Sequence, residues 1–493
     1  MENLKGRTLR GGLAKLCGQG ANFALRFAYI MILARLLTPE DFGLVAMVTV
    51  VTGIFELFTS AGLSSAMVQQ ATITNEQISK LFWVNLLVGA LLALLCVATA
   101  PVLVSFFHEP RLFWVTIAMA PAFLFGAAGV QHMAILQRQL RYVTITVIEI
   151  VALLSSVAVG IGMALAGFGY WAIVCAAITV QAVSTICAVA VTRWIPGRFD
   201  ASTNIGSMLR YGGTVTLSGV VVYVAYNLDK VLLGRVWGVE ALGVYGRAYQ
   251  LVNIPISNLN VAVGGVAFAA LSRLQDDPVR FKAYFLKGYS LVVSMTIPVT
   301  MFCGVFADEI VTVVLGPQWS EAAPIFRLMS PTILMFAMIN PLSWVLFSVG
   351  LQRRSLKIAL AMTPLLVCAY LIGLPYGANG VAAAYSAVMA LWLIPHIAWC
   401  VHGTSISLKE LFFAVSRPLL SGLVAAAAMI AIGVYVNDAY ALSPLVRLCL
   451  GGGTMAAIYA VVLLFILRQK DLYLDVLRGL KRTSSTNTYE SIP

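Results

Sequence analysis

Charge is scarce in this sequence: 11% of its 493 residues are charged, against 60% that are hydrophobic. No soluble fold could solvate that mixture, so lipid must be the solvent. Acidic residues are scarcer still, 20 against 32 basic ones, which leaves few carboxylates for catalysis. Cysteine pairs at disulfide or zinc spacing are missing: the eight cysteines, from Cys17 to Cys449, are scattered through apolar segments. The four histidines, His108, His132, His396 and His402, are scattered too, and neither a disulfide framework nor a metal site is indicated. Also missing are a Walker phosphate loop, a Ser/His/Asp set and any outer loop long enough to hold a glycosyltransferase or polymerase centre. The expectation is a chain with no cofactor, no metal and no enzymatic chemistry, whose work is done inside a helix bundle.

What is present is a succession of apolar runs near the roughly 20 residues needed to cross a bilayer. They predict helices at 10–35, 41–61, 80–105, 113–136, 143–166, 168–192, 207–234, 244–270, 285–307, 322–348, 356–375, 378–401, 415–436 and 444–467. Alternating ten-residue segments are absent, so the fold class is an all-α integral membrane bundle of about fourteen helices, not a barrel. The first helix follows a polar start with no convincing cleavage site and is expected to be retained. The net charge of +12 is sorted by topology. Arg138, Arg193, Arg280, Arg353, Arg468 and most other basic residues fall on one side, while Arg35, Arg111, Arg235, Arg247 and Arg447 fall on the other. By the positive-inside rule both termini are cytoplasmic. The basic excess marks orientation and anionic-lipid contact, not nucleic acid.

The chain also repeats itself. Leu9, Arg10 and Gly12 recur 200 residues on as Leu209, Arg210 and Gly212, and Arg35, Glu40 and Gly43 recur as Arg235, Glu240 and Gly243. Leu136-Gln137-Arg138 recurs as Leu351-Gln352-Arg353, and Gly169-x-x-Ala172 as Gly380-x-x-Ala383. Two parallel six-helix lobes follow, 1–192 and 207–402, with a cytoplasmic linker at 193–206, an extra helix pair at 403–467 and a cytoplasmic tail at 468–493. A two-lobed parallel repeat with a cleft between its lobes is a transporter's architecture.

Polar residues inside the spans mark the candidate site. Lys15, Gln19, Asn22 and Arg26 are spaced 4, 3 and 4 apart, which puts them on one stripe roughly 60° wide. A basic side chain facing lipid there costs at least about 2.5–3.5 kcal/mol, so the stripe should face a polar cavity or a partner helix. Pairing of Lys15 with Glu56 is the competing explanation. The seventh helix offers Tyr223, Tyr226, Asn227 and Lys230 with Asp229 beside them, where a salt bridge competes with a substrate role. The eighth adds Tyr249, Gln250, Asn253, Ser257 and Asn260 around Pro255, where interhelical hydrogen bonding competes with sugar contact. Asp229 and Glu56 are the candidates for ion coupling.

The stretch Asn227-Leu-Asp-Lys-Val-Leu-Leu-Gly-Arg235, followed by Leu242-Gly-Val-Tyr-Gly-Arg-Ala-Tyr-Gln-Leu251 and Asn253-Ile-Pro255, resembles the bacterial polysaccharide exporters of the colanic-acid and succinoglycan type. Ala34-Arg-Leu-Leu-Thr-Pro-Glu-Asp-Phe-Gly43 and Leu136-Gln-Arg-Gln-Leu-Arg-Tyr142 resemble them as well. The resemblance places the chain in the superfamily of drug/cation antiporters and the lipid II flippase. It implies flipping of undecaprenyl-pyrophosphate-linked oligosaccharide from the cytoplasmic to the periplasmic leaflet of the bacterial inner membrane by alternating access. It also implies polymerase and chain-length-regulator partners, basic cavity residues facing the pyrophosphate, and a tail groove formed with the last helix pair. A multidrug/cation antiporter of the same superfamily is the main rival, although the basic stripe argues against a cation cavity. A glycan polymerase or glycosyltransferase is the second.

Overall fold

The computed structural model describes residues 20, 22–60, 73–199, 206–439, 443–470 and 473, with backbone alone at Ser60, at a number of positions between 207 and 269, and at 434–439. Every regular element among them is helical. The first seven are α1 (22–36), α2 (Pro39–Ser60), α3 (Asn75–Phe107), α4 (Leu112–Arg138), α5 (Tyr142–Leu165), α6 (Trp171–Thr192) and α7 (206–237). Then come α8 (239–273), α9 (Pro278–Val305), the short α10 (Ala307–Val314) and α11 (Ala322–Met329), α12 (Pro331–Ser348), α13 (Gln352–Gly373), α14 (Gly377–Val401), α15 (Leu408–Ala439) and α16 (Pro444–Val461). Among the described residues ten stretches are long and apolar enough to cross a bilayer by length and composition, and one of them, Gln352–Val401, contains two helices. The arrangement is compatible with the expected number of about fourteen. Leu94, Val102, Val147, Leu154, Leu391 and Ile430 are among the large apolar side chains left exposed, the pattern of a protein solvated by hydrocarbon.

The chain packs as two compact units, Met1–Gly246 and Arg247–Pro493. In the first, α3 and α4 run antiparallel at backbone contact, since a Cβ on Gly89 would lie 2.4 Å from the Ala127 Cβ. Thr185 donates from its hydroxyl to the Phe125 carbonyl at 2.7 Å, tying α6 to α4, and Ser156 donates to the Ala176 carbonyl at 2.9 Å, tying α5 to α6. Small residues and hydroxyls of this kind are what membrane helices use where hydrophobic burial gives no preference for protein over lipid. After α6 the chain is strapped to α3. Ser79 accepts from the Gly197 amide at 2.9 Å, Trp83 donates to the Gly197 carbonyl at 2.8 Å, and Phe82, His132 and Trp194 meet edge to face. The start of the segment read as a linker is therefore fixed to the first unit.

In the second unit α15 and α16 lean on α9. A Cβ on Gly422 would meet Ile297 at 2.4 Å and one on Gly451 would meet Phe306 at 2.4 Å, while Tyr459 donates to the Ser294 carbonyl at 2.7 Å. Gly422 and Gly451 of the last helix pair are packing sites. The segment 308–321, expected to be a loop, is largely helical: α10, a 3₁₀ turn at Pro317–Trp319 and α11 wedge Val311, Trp319 and Phe326 into the core. Arg327 is paired with Asp308, so a neighbouring carboxylate holds it in addition to any reach toward the surface.

Several predicted ends move. The gap expected at 235–243 shrinks to one residue, because α7 and α8 meet at a sharp kink at Gly238, whose φ of 83° suits glycine, and the chain folds back so that Tyr245 reaches Asp229. The corresponding corner 200 residues earlier is built differently: Thr38 and Asp41 cap each other, with the Thr38 amide and hydroxyl donating to the Asp41 carboxylate at 3.0 and 2.9 Å ahead of Pro39. The packing boundary at Gly246 thus lies one helix beyond the boundary of the sequence repeat, since α7 and the first turns of α8 pack on α2. As a test of orientation, cysteines placed near Arg138, Arg280, Arg353 and at both termini should be labelled only from the cytoplasmic side; a periplasmic carboxyl terminus would overturn the topology.

Candidate translocation site

The candidate residues lie on α1, α2 and α7 in the first unit and on the part of α8 beyond Gly246 in the second. On α1, Lys15 and Gln19 lie outside the described residues. Asn22 is half-buried and Arg26 exposed, and no carboxylate among the described residues lies within salt-bridge distance of Arg26. Tyr29, one turn on, fits against Gly160 of α5, where a Cβ would stand 2.3 Å from the phenol oxygen. α1 is thus packed on α5 at Tyr29, and Arg26 is left accessible. Glu56 on α2 is exposed, and it lies close enough to the Tyr223 phenol to interact with it electrostatically.

On α7 the polar residues form a connected set. Tyr223 donates to the Val50 carbonyl of α2 at 3.2 Å, its hydroxyl seated where Gly53 has no side chain. Asn227 donates to the Tyr223 carbonyl at 2.9 Å and accepts from Lys230 Nζ at 2.7 Å. Asp229 is 1% exposed; it accepts from the Tyr245 hydroxyl of α8 at 2.6 Å and from the Lys230 amide at 2.8 Å. Tyr226 is half-buried on the same helix. The structure therefore brings Asn227, Asp229 and Lys230 together, and adds Tyr245, a partner that sequence spacing across the Gly238 break did not suggest.

At the α1–α2 end, the short turn between α3 and α4 gathers charge. Arg111 donates to Glu40 at 2.6 Å and to Glu109 at 2.8 Å, and Arg235 contacts His108 and lies 5.6 Å from the Phe106 ring centre. The Arg111 guanidinium holds the Glu109 carboxyl below its ordinary range. Whatever this pair contributes is therefore present above the ordinary carboxylate pKa and is lost only as pH falls through the depressed one. Neutral and mildly acidic media leave it intact.

In the second unit Asn253 is exposed on α8, and Ser257 and Asn258 donate back to the Ile254 carbonyl at 3.1 and 2.7 Å. The Gln250 Oε1 is buried with no hydrogen-bond partner. Between α9, α12, α14 and α15 lies a cavity of about 1000 Å³, lined by Met301, Met335, Met338, Leu393 and Leu420 among others, with Arg327 its one charged lining residue. Nothing in the sequence distinguishes these apolar positions from lipid-facing ones, so only the packing reveals the cavity. Among the described residues no group of three His, Cys, Asp or Glu side chains could hold a metal.

Comparison with known proteins gives relatives in both sequence and fold. The chain is 26% identical over 428 residues to the teichuronic acid biosynthesis protein TuaB of Bacillus subtilis, covering 83% of this chain and 85% of that one. It is 24% identical to the lipopolysaccharide biosynthesis protein WzxC of Escherichia coli, over 75% and 76% of the two chains. Among solved structures, the lipid II flippase MurJ in an inward closed conformation matches with a TM-score of 0.76 at 13% identity, over 92% of this chain and 99% of that one. An inward-facing multidrug resistance transporter of the MATE family matches with a TM-score of 0.64 at 15% identity, over 77% and 94%. These last two show the fold alone. The family model described as polysaccharide biosynthesis protein matches residues 32–324, and this membrane protein belongs to that family.

Proposed function

We propose that the protein flips undecaprenyl-pyrophosphate-linked oligosaccharide from the cytoplasmic to the periplasmic leaflet of the bacterial inner membrane, by alternating access of two six-helix lobes, 1–192 and 207–402. The observation that supports this most is the coexistence of two unlike environments in one membrane chain. The first unit presents an accessible guanidinium at Arg26 beside Asn22, and the second holds a largely apolar cavity of about 1000 Å³. A pyrophosphate demands fixed cations, and a polyprenyl tail demands a dry apolar channel. An organic cation would be repelled by the fixed guanidinium. Lys15, Gln19, Tyr226, Asn227, Lys230 and Asn253 complete the proposed polar lining, with amides and hydroxyls replacing the water of the sugars.

The physical problem is that the glycan and its pyrophosphate must cross some 30 Å of hydrocarbon while the tail stays in it. Teichuronic acid and lipopolysaccharide appear in the names of two relatives. A polymerase and a chain-length regulator of the same pathway would receive the flipped unit. Reconstituted in proteoliposomes, the purified chain should move a fluorescent undecaprenyl-pyrophosphate-linked saccharide between leaflets, read as loss of quenching by an impermeant reductant. Movement of organic cations with no movement of this lipid would replace the proposal with the antiporter reading.

A further inference from the structure

In the first unit the starts of α2 and α8 cross so closely that neither could carry a side chain at the crossing. A Cβ on Gly43 would stand 1.8 Å from the Val239 carbonyl oxygen, and one on Gly243 would stand 1.9 Å from the Pro39 carbonyl oxygen. Each added Cβ would also lie 3.0 Å from the other glycine's amide nitrogen. The contact is reciprocal, residue 39 against 243 and residue 239 against 43, and the paired positions are 200 apart in the repeat. Such reciprocity is what a local two-fold axis produces. Leu44, Met47, Leu242 and Tyr245 around it are 0–1% exposed, so the seam is dry. Backbones this close are held by dispersion and Cα–H···O contacts, many and individually weak.

We propose that the Gly43–Gly243 crossing is the seam that closes the α1–α2 end of the translocation path, and that the two glycines set the balance between closed and open states. The inference rests on the alternating-access reading above. A side chain at either position drives a carbonyl away from an approach that real Cβ atoms do not sustain below 3.0 Å. The closed state is therefore penalised, while a state with the helices apart is unaffected. Because the contact is reciprocal, the two positions should act alike, which no general destabilisation requires.

The test uses the full chain with its cysteines replaced by serine and one reporter, Asn253→Cys, in cells exposed to a membrane-impermeant maleimide. Gly43→Ala and Gly243→Ala should each raise labelling from outside by about tenfold, a shift of one decade in the two-state equilibrium. Folded, monodisperse variants that label at the unsubstituted rate would overturn the proposal. Should neither variant reach the membrane, hydrogen exchange on the unmodified protein decides. Amides 43–46 and 243–246 should share one opening rate, and unequal rates would overturn it. The label reports opening without any substrate, so this result and the flipping assay can fail independently.

Discussion

Replacing Arg26 with alanine should cut polymer export at least about tenfold while leaving the protein in the membrane at its normal level, and lysine should restore part of it. The size follows from the hydrogen bonds to phosphate that alanine cannot make. Hydrogen bonds to charged groups contribute about 1.5–3 kcal/mol each, and every 1.4 kcal/mol is about a decade in affinity. Arginine grips phosphate oxygens through two parallel hydrogen bonds, whereas lysine offers a point charge, hence the partial rescue. The structure removes one competing explanation, since no described carboxylate is within salt-bridge distance of Arg26 and the side chain is exposed. A guanidinium placed at membrane depth without a carboxylate partner must look into water or a ligand. Export measured as secreted polymer, with the variant quantified in the membrane fraction, checks the prediction. Unchanged yield in Arg26→Ala would remove Arg26 from the site, and disappearance of the protein would make it a structural residue.

Much of this fold is legible in the sequence because the signals are one-dimensional. Hydropathy alone places α2 to α6 within a few residues, since a 20-residue apolar run has one low-energy solution in lipid. The 200-residue repeat is legible for a more physical reason: Gly43 and Gly243 cannot carry a side chain where they meet, so both copies hold glycine. What the sequence hides lies where two elements must be known at once. The span 235–243 reads as a loop, yet helix continues to either side of a one-residue kink at Gly238. Asp308 and Glu309 fall between two predicted helices, at 285–307 and 322–348, yet they begin α10, whose apolar face is packed into the core. The cavity beside α15 is invisible in the sequence because a methionine lining a cavity and one facing lipid have the same hydropathy. The polar stripe of α1 is legible as a stripe, but only packing shows that Tyr29 fixes it against Gly160.

The second large effect should come from Asp229. Its carboxylate is 1% exposed, and its two oxygens accept from the Tyr245 hydroxyl at 2.6 Å and the Lys230 amide at 2.8 Å. Alanine there removes the buried carboxylate that both the Tyr245 hydroxyl and the Lys230 amide use, a cost of about 1–3 kcal/mol. Asp229→Ala should therefore lower the melting temperature in detergent and reduce the amount of protein in the membrane. Tyr245→Phe removes the donor from the same hydrogen bond and should destabilise less, and the double variant should cost less than the sum, because the two residues share one interaction. Asparagine separates fold from function: its amide oxygen can accept from Tyr245 or from the Lys230 amide, but it carries no charge and takes up no proton. If Asp229 couples export to an ion gradient, Asp229→Asn should keep the melting temperature near that of the unsubstituted protein and lose most gradient-driven flipping in proteoliposomes, with proton and sodium gradients imposed in turn. Glu56→Gln serves as the comparison, since Glu56 is the other candidate and is exposed on α2. An Asp229→Asn variant that flips at the unsubstituted rate under both gradients would leave Asp229 as a strut between α7 and α8, and would move the search for coupling to Glu56.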